Sequence, residues 1–208
     1  MIGDRWGVTD AEVARHYPCD DIVSSPVLQA WRGVTVRTKP DRLWPWVAQI
    51  RLAPYSYDWI DNLGRRSPRE LLALPEPAAG QHFTTAATRP LGRILSVAPR
   101  EQLTGWIAGA VISYVLVPKG DGTRLLMKVV TARGRLVAPF LSLGDLVMAR
   151  RQLLNLKQLA EQPDHPGIGG GPRASVLDGR ADDHRRSSAP SRGGRDGALS
   201  APLEARGQ

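Results

Sequence analysis

The stretch from Trp31 to Asn62, WRGVTVRTKPDRLWPWVAQIRLAPYSYDWIDN, constrains the fold more than any other part of the chain. Gly33, Thr35 and Arg37 alternate with Arg32, Val34 and Val36, with β-branched residues on both sides, as in a strand. Thr38, Pro40 and Asp41 then open a helix. The hydroxyl can accept from a first-turn amide, a proline there gives up no hydrogen bond, and the carboxylate suits the positive end of the dipole. Leu43, Trp44, Val47 and Ile50 recur on one helical face. After Pro54 an aromatic-acidic second helix is expected around Tyr55, Tyr57, Asp58 and Trp59. Such rings bury large areas while keeping a polar handle each.

Further along, 64–80 reads as a loop, one short helix and a Pro-rich connection. From Gly80 the period becomes two, predicting strands at 81–87, 92–97, 101–107, 110–117 and 123–132, with turns at 89–90, 98–100 and 119–122. The short connections imply antiparallel neighbours, because parallel strands need crossovers. The uncharged run Gln102–Pro118 has seventeen residues, is broken by Gly105 and Gly109, and falls short of the roughly twenty a membrane helix needs. It reads as two paired strands. Residues 136–162 then read as a helix, with Pro139 near its entry. Leu146, Ala149, Leu153, Leu156 and Ala160 form its apolar stripe, Leu143, Val147 and Leu154 widen it, and Arg150, Arg151, Asn155, Gln158 and Glu161 lie outside. Five strands followed by one striped helix predict an α+β fold in which a curved antiparallel sheet wraps the helix. A sheet curved round one helix seldom closes fully, so an apolar cavity follows from shape.

PDRLWPWVAQIR followed by YSYDWIDN resembles the START-like SRPBCC superfamily, the polyketide cyclase/dehydrase and lipid transport group. Three further blocks are similar in the same order: RWGVTDAEVARHYPCDDIV (Arg5–Val23), GDGTRLLMKVVTARG (Gly120–Gly134) and MARRQLLNLKQLAE (Met148–Glu161). The first of these is similar to the N-terminal extension of an actinobacterial-type branch. Cys19, before the Asp pair, and Arg51–Pro54 depart from the family pattern. The resemblance covers roughly 5–162 and implies the helix-grip fold with a long C-terminal helix. The expected organisation is an extension over 1–28 packed on the domain, a helix-grip domain over 29–162, and a tail over 163–208. That tail holds no aromatic residue but nine Gly and five Pro. It cannot bury enough apolar surface to offset its ordering entropy, so disorder is expected there.

The formal charge of +8 sits mostly on the domain: 1–162 carries 21 bases against 14 acids, the tail seven against six. A basic surface suits phosphates, acidic ligands or peripheral contact with anionic lipid. No recognition motif accompanies the charge, so nucleic acid is not an expected partner. The single cysteine, Cys19, permits no internal disulfide and fits a reducing, cytoplasmic compartment. Asp4 and Arg5 interrupt the apolar run a signal peptide would need. His16 with Cys19 is half a metal site without a second half, and His82 is isolated, so no metal and no cofactor are expected. The GIGGG run at 167–171 lacks a Lys-Ser/Thr pair and reads as a linker.

Two groups of residues carry the functional expectation. Tyr55, Tyr57, Asp58 and Asp61 could stand at a cavity mouth, with Asp58 as a base and Tyr57 as a donor, or could equally be core and helix-capping groups. Tyr114 shares a strand face with Ile112 and Leu116, and Met127 with Leu125 and Val129. If those faces point inward, Tyr114 and Met127 line the cavity, and Trp106 belongs with them. Arg65, Arg66 and Arg69 form a small basic cluster. The leading expectation is binding of a small, mostly hydrophobic ligand, lipid- or polyketide-like. The alternatives are a polyketide cyclase or dehydratase using a pocket Asp/Tyr pair, and a protein-interaction module without ligand.

Overall fold

A run of residues that is apolar on both sides, as Trp31–Val36 and Val111–Val117 are, belongs to a strand covered on both faces. The computed structural model describes residues 4–132 and 138–163, without the side chains of 60, 61 and 138–147, and this is how those runs are used. Strand β1 (Arg5–Trp6) and helix α1 (Asp10–Ala14) lead into the long strand β2 (Leu28–Val36) and helix α2 (Pro40–Ala48). A single helical turn α3 (Asp58–Asp61) and a hairpin of β3 (Thr84–Ala86) and β4 (Arg89–Leu91) precede the meander β5 (Arg93–Ala98), β6 (Gln102–Ile107), β7 (Ala110–Lys119) and β8 (Gly122–Thr131). Helix α4 (Ala138–Ala160) closes the fold. The main sheet has six strands in the order β1-β2-β8-β7-β6-β5, antiparallel except for the β1–β2 edge. The architecture is mixed α+β.

Register decides which side chains meet. Val34 pairs with Leu125, Tyr114 with Met127, and Leu103 with Tyr114, so one face carries these residues together with Val36, Leu116 and Val129. They form one core with Leu43, Trp46 and Val47 of α2 and Ala149, Leu153, Leu156 and Ala160 of α4. The opposite face carries Trp31, Val111, Val115, Leu126 and Val130, and the N-terminal segment covers it with Tyr17 and Cys19, both fully buried. Lys128 on that face is also buried. Its ammonium meets Asp20 at 2.5 Å between the rings of Trp31 and Tyr17, at 5.1 and 5.5 Å, so the charge is paired rather than stranded.

Gly105 has a structural reason. A Cβ at that position would lie 2.1 Å from the Phe83 ring. The glycine leaves the slot that the ring fills, and so seats the segment before β3 over the sheet. At the β6–β7 turn Ala108 and Gly109 both have positive φ, +50° and +87°, matching the twist of a tight hairpin.

Several sequence expectations are corrected. The second helix is one turn only, and Trp59 at its second position is 72% exposed rather than core. No helix forms in 64–80; hydrogen bonds of Glu70 and Leu72 with Gln49 and of the Pro75 carbonyl with Arg51 hold that segment against the turn after α2. Arg89–Pro90 is strand β4, and the turn falls at Ala87–Thr88, both with positive φ. Lys39, not Thr38, is the N-cap of α2, and the Thr38 carbonyl accepts instead from Thr123 Oγ1 at 2.6 Å. Leu143, Leu146 and Val147 of the α4 stripe, and all of the tail beyond Pro163, lie outside the described residues.

Candidate functional site

The inner sheet face, the β3–β4 hairpin, the elbow after α2 and helix α4 leave a cavity of about 300 Å³, at the lower end of the roughly 300–1,000 Å³ typical of ligand sites. Ile112 and Tyr114 from β7, and Met127 and Val129 from β8, form one wall. Ile50 and Pro54 from the elbow, Phe83 and Leu91 from the hairpin, and Met148, Ala149 and Gln152 from α4 form the others. Small side chains at Ala110 and Ala149 leave the space that a larger residue would occupy. Among the described lining residues there is no Asp, Glu, His, Lys or Arg.

The polar groups in this apolar shell are few and bonded to one another. Tyr114 donates its hydroxyl to Gln152 Oε1 at 2.6 Å, and Gln152 Nε2 donates to the Pro54 carbonyl at 2.5 Å. Thr84 Oγ1 donates to the Ile50 carbonyl at 2.8 Å and Thr131 Oγ1 to the Gly109 carbonyl at 3.0 Å. Buried polar groups need such partners. Gln152 and Phe83 were not singled out by sequence reasoning, although both left a signal: Gln152 stands three residues from Ala149 on the striped face of α4, and Phe83 is an isolated ring facing a glycine in the next strands.

The structure divides the sequence-derived candidates among three places. Tyr114 and Met127, 2% and 1% exposed, stand on the apolar cavity. Tyr55, Tyr57 and Asp58 line a separate polar pocket of about 250 Å³ beside Arg151 and Asn155. Trp106 lines neither: strand alternation turns Leu103, Gly105 and Ile107 inward, and Trp106 points out, 44% exposed. A single site uniting Tyr57, Trp106, Tyr114 and Met127 is therefore not what this fold builds.

In the polar pocket Asp58 accepts from the Ser67 hydroxyl at 2.6 Å and from the Ser67 amide at 3.0 Å. Both carboxylate oxygens are engaged in closing the 58–67 loop. Tyr55 is buried with φ of +56°, its hydroxyl accepting from Gln49 Nε2 at 2.6 Å and its carbonyl from Asn155 Nδ2 at 2.9 Å. Burial pushes its phenol up to about 12, so it is a neutral anchor at ordinary pH. Tyr57 lies under the Arg151 guanidinium, 5.9 Å from the ring centre. A third groove of about 510 Å³ runs outside α2, where Arg51 is tied to the Pro75 carbonyl and Gln81. Among the described residues no cluster of His, Cys, Asp and Glu could hold a metal ion, and no helix is long and apolar enough to cross a membrane.

No protein-family model matches the sequence, and comparison with curated proteins returns no match. Solved structures do align. Protein MLL2253 of Mesorhizobium loti is 20% identical, over 66% of this chain and 99% of that one, with a TM-score of 0.45. Protein Ms6760 of Mycobacterium smegmatis is 13% identical, over 64% and 90%, with a TM-score of 0.42. An AHSA1-like protein of Rhizobium etli is 12% identical, over 78% and 95%, with a TM-score of 0.39.

Proposed function

We propose that this chain is a binding protein for a small, mostly hydrophobic molecule, lipid- or polyketide-like, held in the cavity between the sheet and α4. The observation that carries the reading is a void of about 300 Å³ walled by Met127, Val129, Ile112 and Phe83, with Tyr114 and Gln152 as its polar mark. An apolar pocket of this size, open on one side, leaves apolar surface in water that an apolar occupant would cover. Met127 and Met148 offer adaptable walls to ligands of differing shape. The second N–H of the Gln152 amide would orient one oxygen of an otherwise apolar molecule, since the Tyr114 proton is already given to Gln152. The fold implied is the helix-grip of the START-like SRPBCC superfamily, which the sequence resembles.

A cyclase or dehydratase is the weaker reading. It needs a base and a donor around one ligand; Asp58 and Tyr57 share the polar pocket, but both Asp58 oxygens are bonded to Ser67, and Tyr114 stands in the apolar cavity instead.

Native mass spectrometry of the purified chain, looking for a co-purifying small molecule, tests the proposal together with titration of an apolar fluorescent dye. Binding at micromolar level, about −8 kcal/mol, is expected. Met127→Trp should weaken it at least about tenfold without unfolding the protein, because the added ring enters the void rather than a filled core. Absence of dye binding, with severe destabilisation by Met127→Trp, would mean a solid interior and would leave the protein-interaction module.

A further inference from the structure

Helix turn α3 and the residues just after it carry two large apolar side chains that face solvent: Trp59 is 72% exposed and Leu63 77%. Scattered exposed hydrophobes are ordinary, but these two belong to one closed turn. The amides of Asn62 and Gly64 both return to the Asp58 carbonyl, at 3.2 and 2.8 Å. Asn62 is itself buried and stiffens the turn, donating to the Arg65 carbonyl at 2.8 Å and accepting the Ala87 amide at 3.1 Å. That last bond ties the turn to the β3–β4 hairpin, whose Leu91 is 40% exposed and also lines the apolar cavity.

Basic groups outnumber acidic ones around this end. Arg65, Arg66 and Arg69 on the loop and Arg89 on the hairpin are all exposed, and among the described residues none of them makes an ion pair. The acids of the segment are Asp58, Asp61 and Glu70, and Asp58 is turned inward onto Ser67. An exposed indole and an exposed leucine on one hydrogen-bonded turn, with exposed guanidinium groups at 65, 66 and 69 of the same segment and at 89 of the hairpin tied to it, match the interface of a bilayer. The indole suits the headgroup level, the leucine the acyl boundary, and the arginines the lipid phosphates.

We infer that the Trp59–Leu63 turn and the β3–β4 hairpin form a docking surface for an anionic lipid bilayer. The docking stands independently of the cavity. Its consequence, that the cavity takes its occupant from the bilayer past Leu91, rests on the ligand-binding reading above.

The test is sedimentation of the full chain with vesicles of phosphatidylcholine alone and of equal parts phosphatidylcholine and phosphatidylglycerol. Partition should favour the anionic vesicles by about tenfold or more and weaken with salt, since each arginine near such a surface contributes roughly fivefold. Trp59→Ser with Leu63→Asn should lower it about tenfold. Asparagine accepts the left-handed backbone at 63, where φ is +49°, so folding is retained. Arg65→Gln with Arg66→Gln should lower it about twenty-fivefold, and Trp106→Ser, on the outer sheet face, should leave it unchanged. Equal binding to both vesicles, no binding, or an undiminished Trp59/Leu63 variant would overturn the inference. So would a concentration-dependent dimer that the same variant abolishes. Dye binding in solution reports on the cavity alone, so failure of either reading is distinguishable from failure of the other.

Discussion

Tyr114 and Gln152 meet through a 2.6 Å hydrogen bond between the centre of the sheet and the last helix. The same Gln152 amide reaches the Pro54 carbonyl on the elbow, so one side chain fixes the spacing of three elements at the edge of the cavity. Apolar walls alone would gain by closing on each other, because burial of apolar surface is favourable and non-directional. A polar bridge of set length opposes that collapse, and this is a physical reason for a void to persist between β7, the elbow and α4.

The bridge makes its own prediction. Tyr114→Phe leaves Gln152 Oε1 without the phenol donor, and should cost about 1–2 kcal/mol in urea unfolding. Gln152→Leu should cost a similar amount, and the double variant less than the sum, with a coupling of about 1 kcal/mol. Strictly additive losses would show that the contact contributes nothing to folding.

The face of α4 is tested by a contrast between neighbours. Leu153 is fully buried against the sheet and Arg151 is exposed. Leu153→Asp puts a carboxylate where no partner stands and should cost several kcal/mol, enough to unfold a domain of ordinary stability. Arg151→Asp loses only its approach to the Tyr57 ring and should change the melting temperature by a few degrees at most, within about 0.5–1 kcal/mol. Circular dichroism melts of the two variants decide it.

The strands and the last helix were legible in the sequence because periodicity reports burial directly. Leu153, Leu156 and Ala160 fall on one helical face, and Tyr114 and Met127 on inward strand positions, whatever the tertiary detail. What was not legible depends on contacts between distant segments. Asp58 and Trp59 read as the start of a helix from local residue types, but the chain turns after one turn because Ser67 claims the Asp58 carboxylate and Asn62 claims the Ala87 amide. By residue type Trp106 belongs with Tyr114. The register of β6 against β7, which pairs it with the outward Val111, separates them. A glutamine on a helix, as at 152, reads as solvated from sequence, because the phenol opposite it comes from a strand 38 residues away.

The acid side of the stability profile follows from Glu12 and Glu161. Arg124 holds the Glu12 carboxyl below the ordinary 4.5 through bonds of 2.7 and 2.9 Å. Burial works against ionisation of Glu161, but the Arg37 amide and the Lys157 ammonium outweigh it and lower its pKa as well. A depressed carboxylate stabilises the fold fully above its unfolded value, and that stability is lost as pH falls through the folded one. Melting temperature should therefore fall between about pH 5 and about pH 3, and fall less steeply in the Glu12→Gln, Glu161→Gln variant. At the other end burial raises Cys19 to about 11 and Tyr17 to about 12. Their neutral forms stabilise the fold below the unfolded values, and that contribution is lost as pH rises toward the folded ones. At neutral pH, Cys19 should accordingly react with a thiol reagent only at the rate of unfolding.

The last prediction separates binding from catalysis at Asp58. Its carboxylate accepts two hydrogen bonds from Ser67 and lies outside the apolar cavity. Asp58→Asn keeps the shape but replaces one acceptor by a donor, so one Ser67 group loses its partner. Stability should drop by about 1–2 kcal/mol, while affinity for an apolar dye stays within about twofold, because no cavity wall moves. A base at that position would behave in the opposite way. Removing it would cost on the order of a hundredfold or more in the rate of a cyclisation reaction with a poly-β-ketone substrate, with little change in dye affinity. Urea unfolding, dye titration and a substrate assay on the one variant distinguish the two cases. A stable Asp58→Asn protein that had lost a measurable cyclisation rate would overturn the structural role given to this carboxylate.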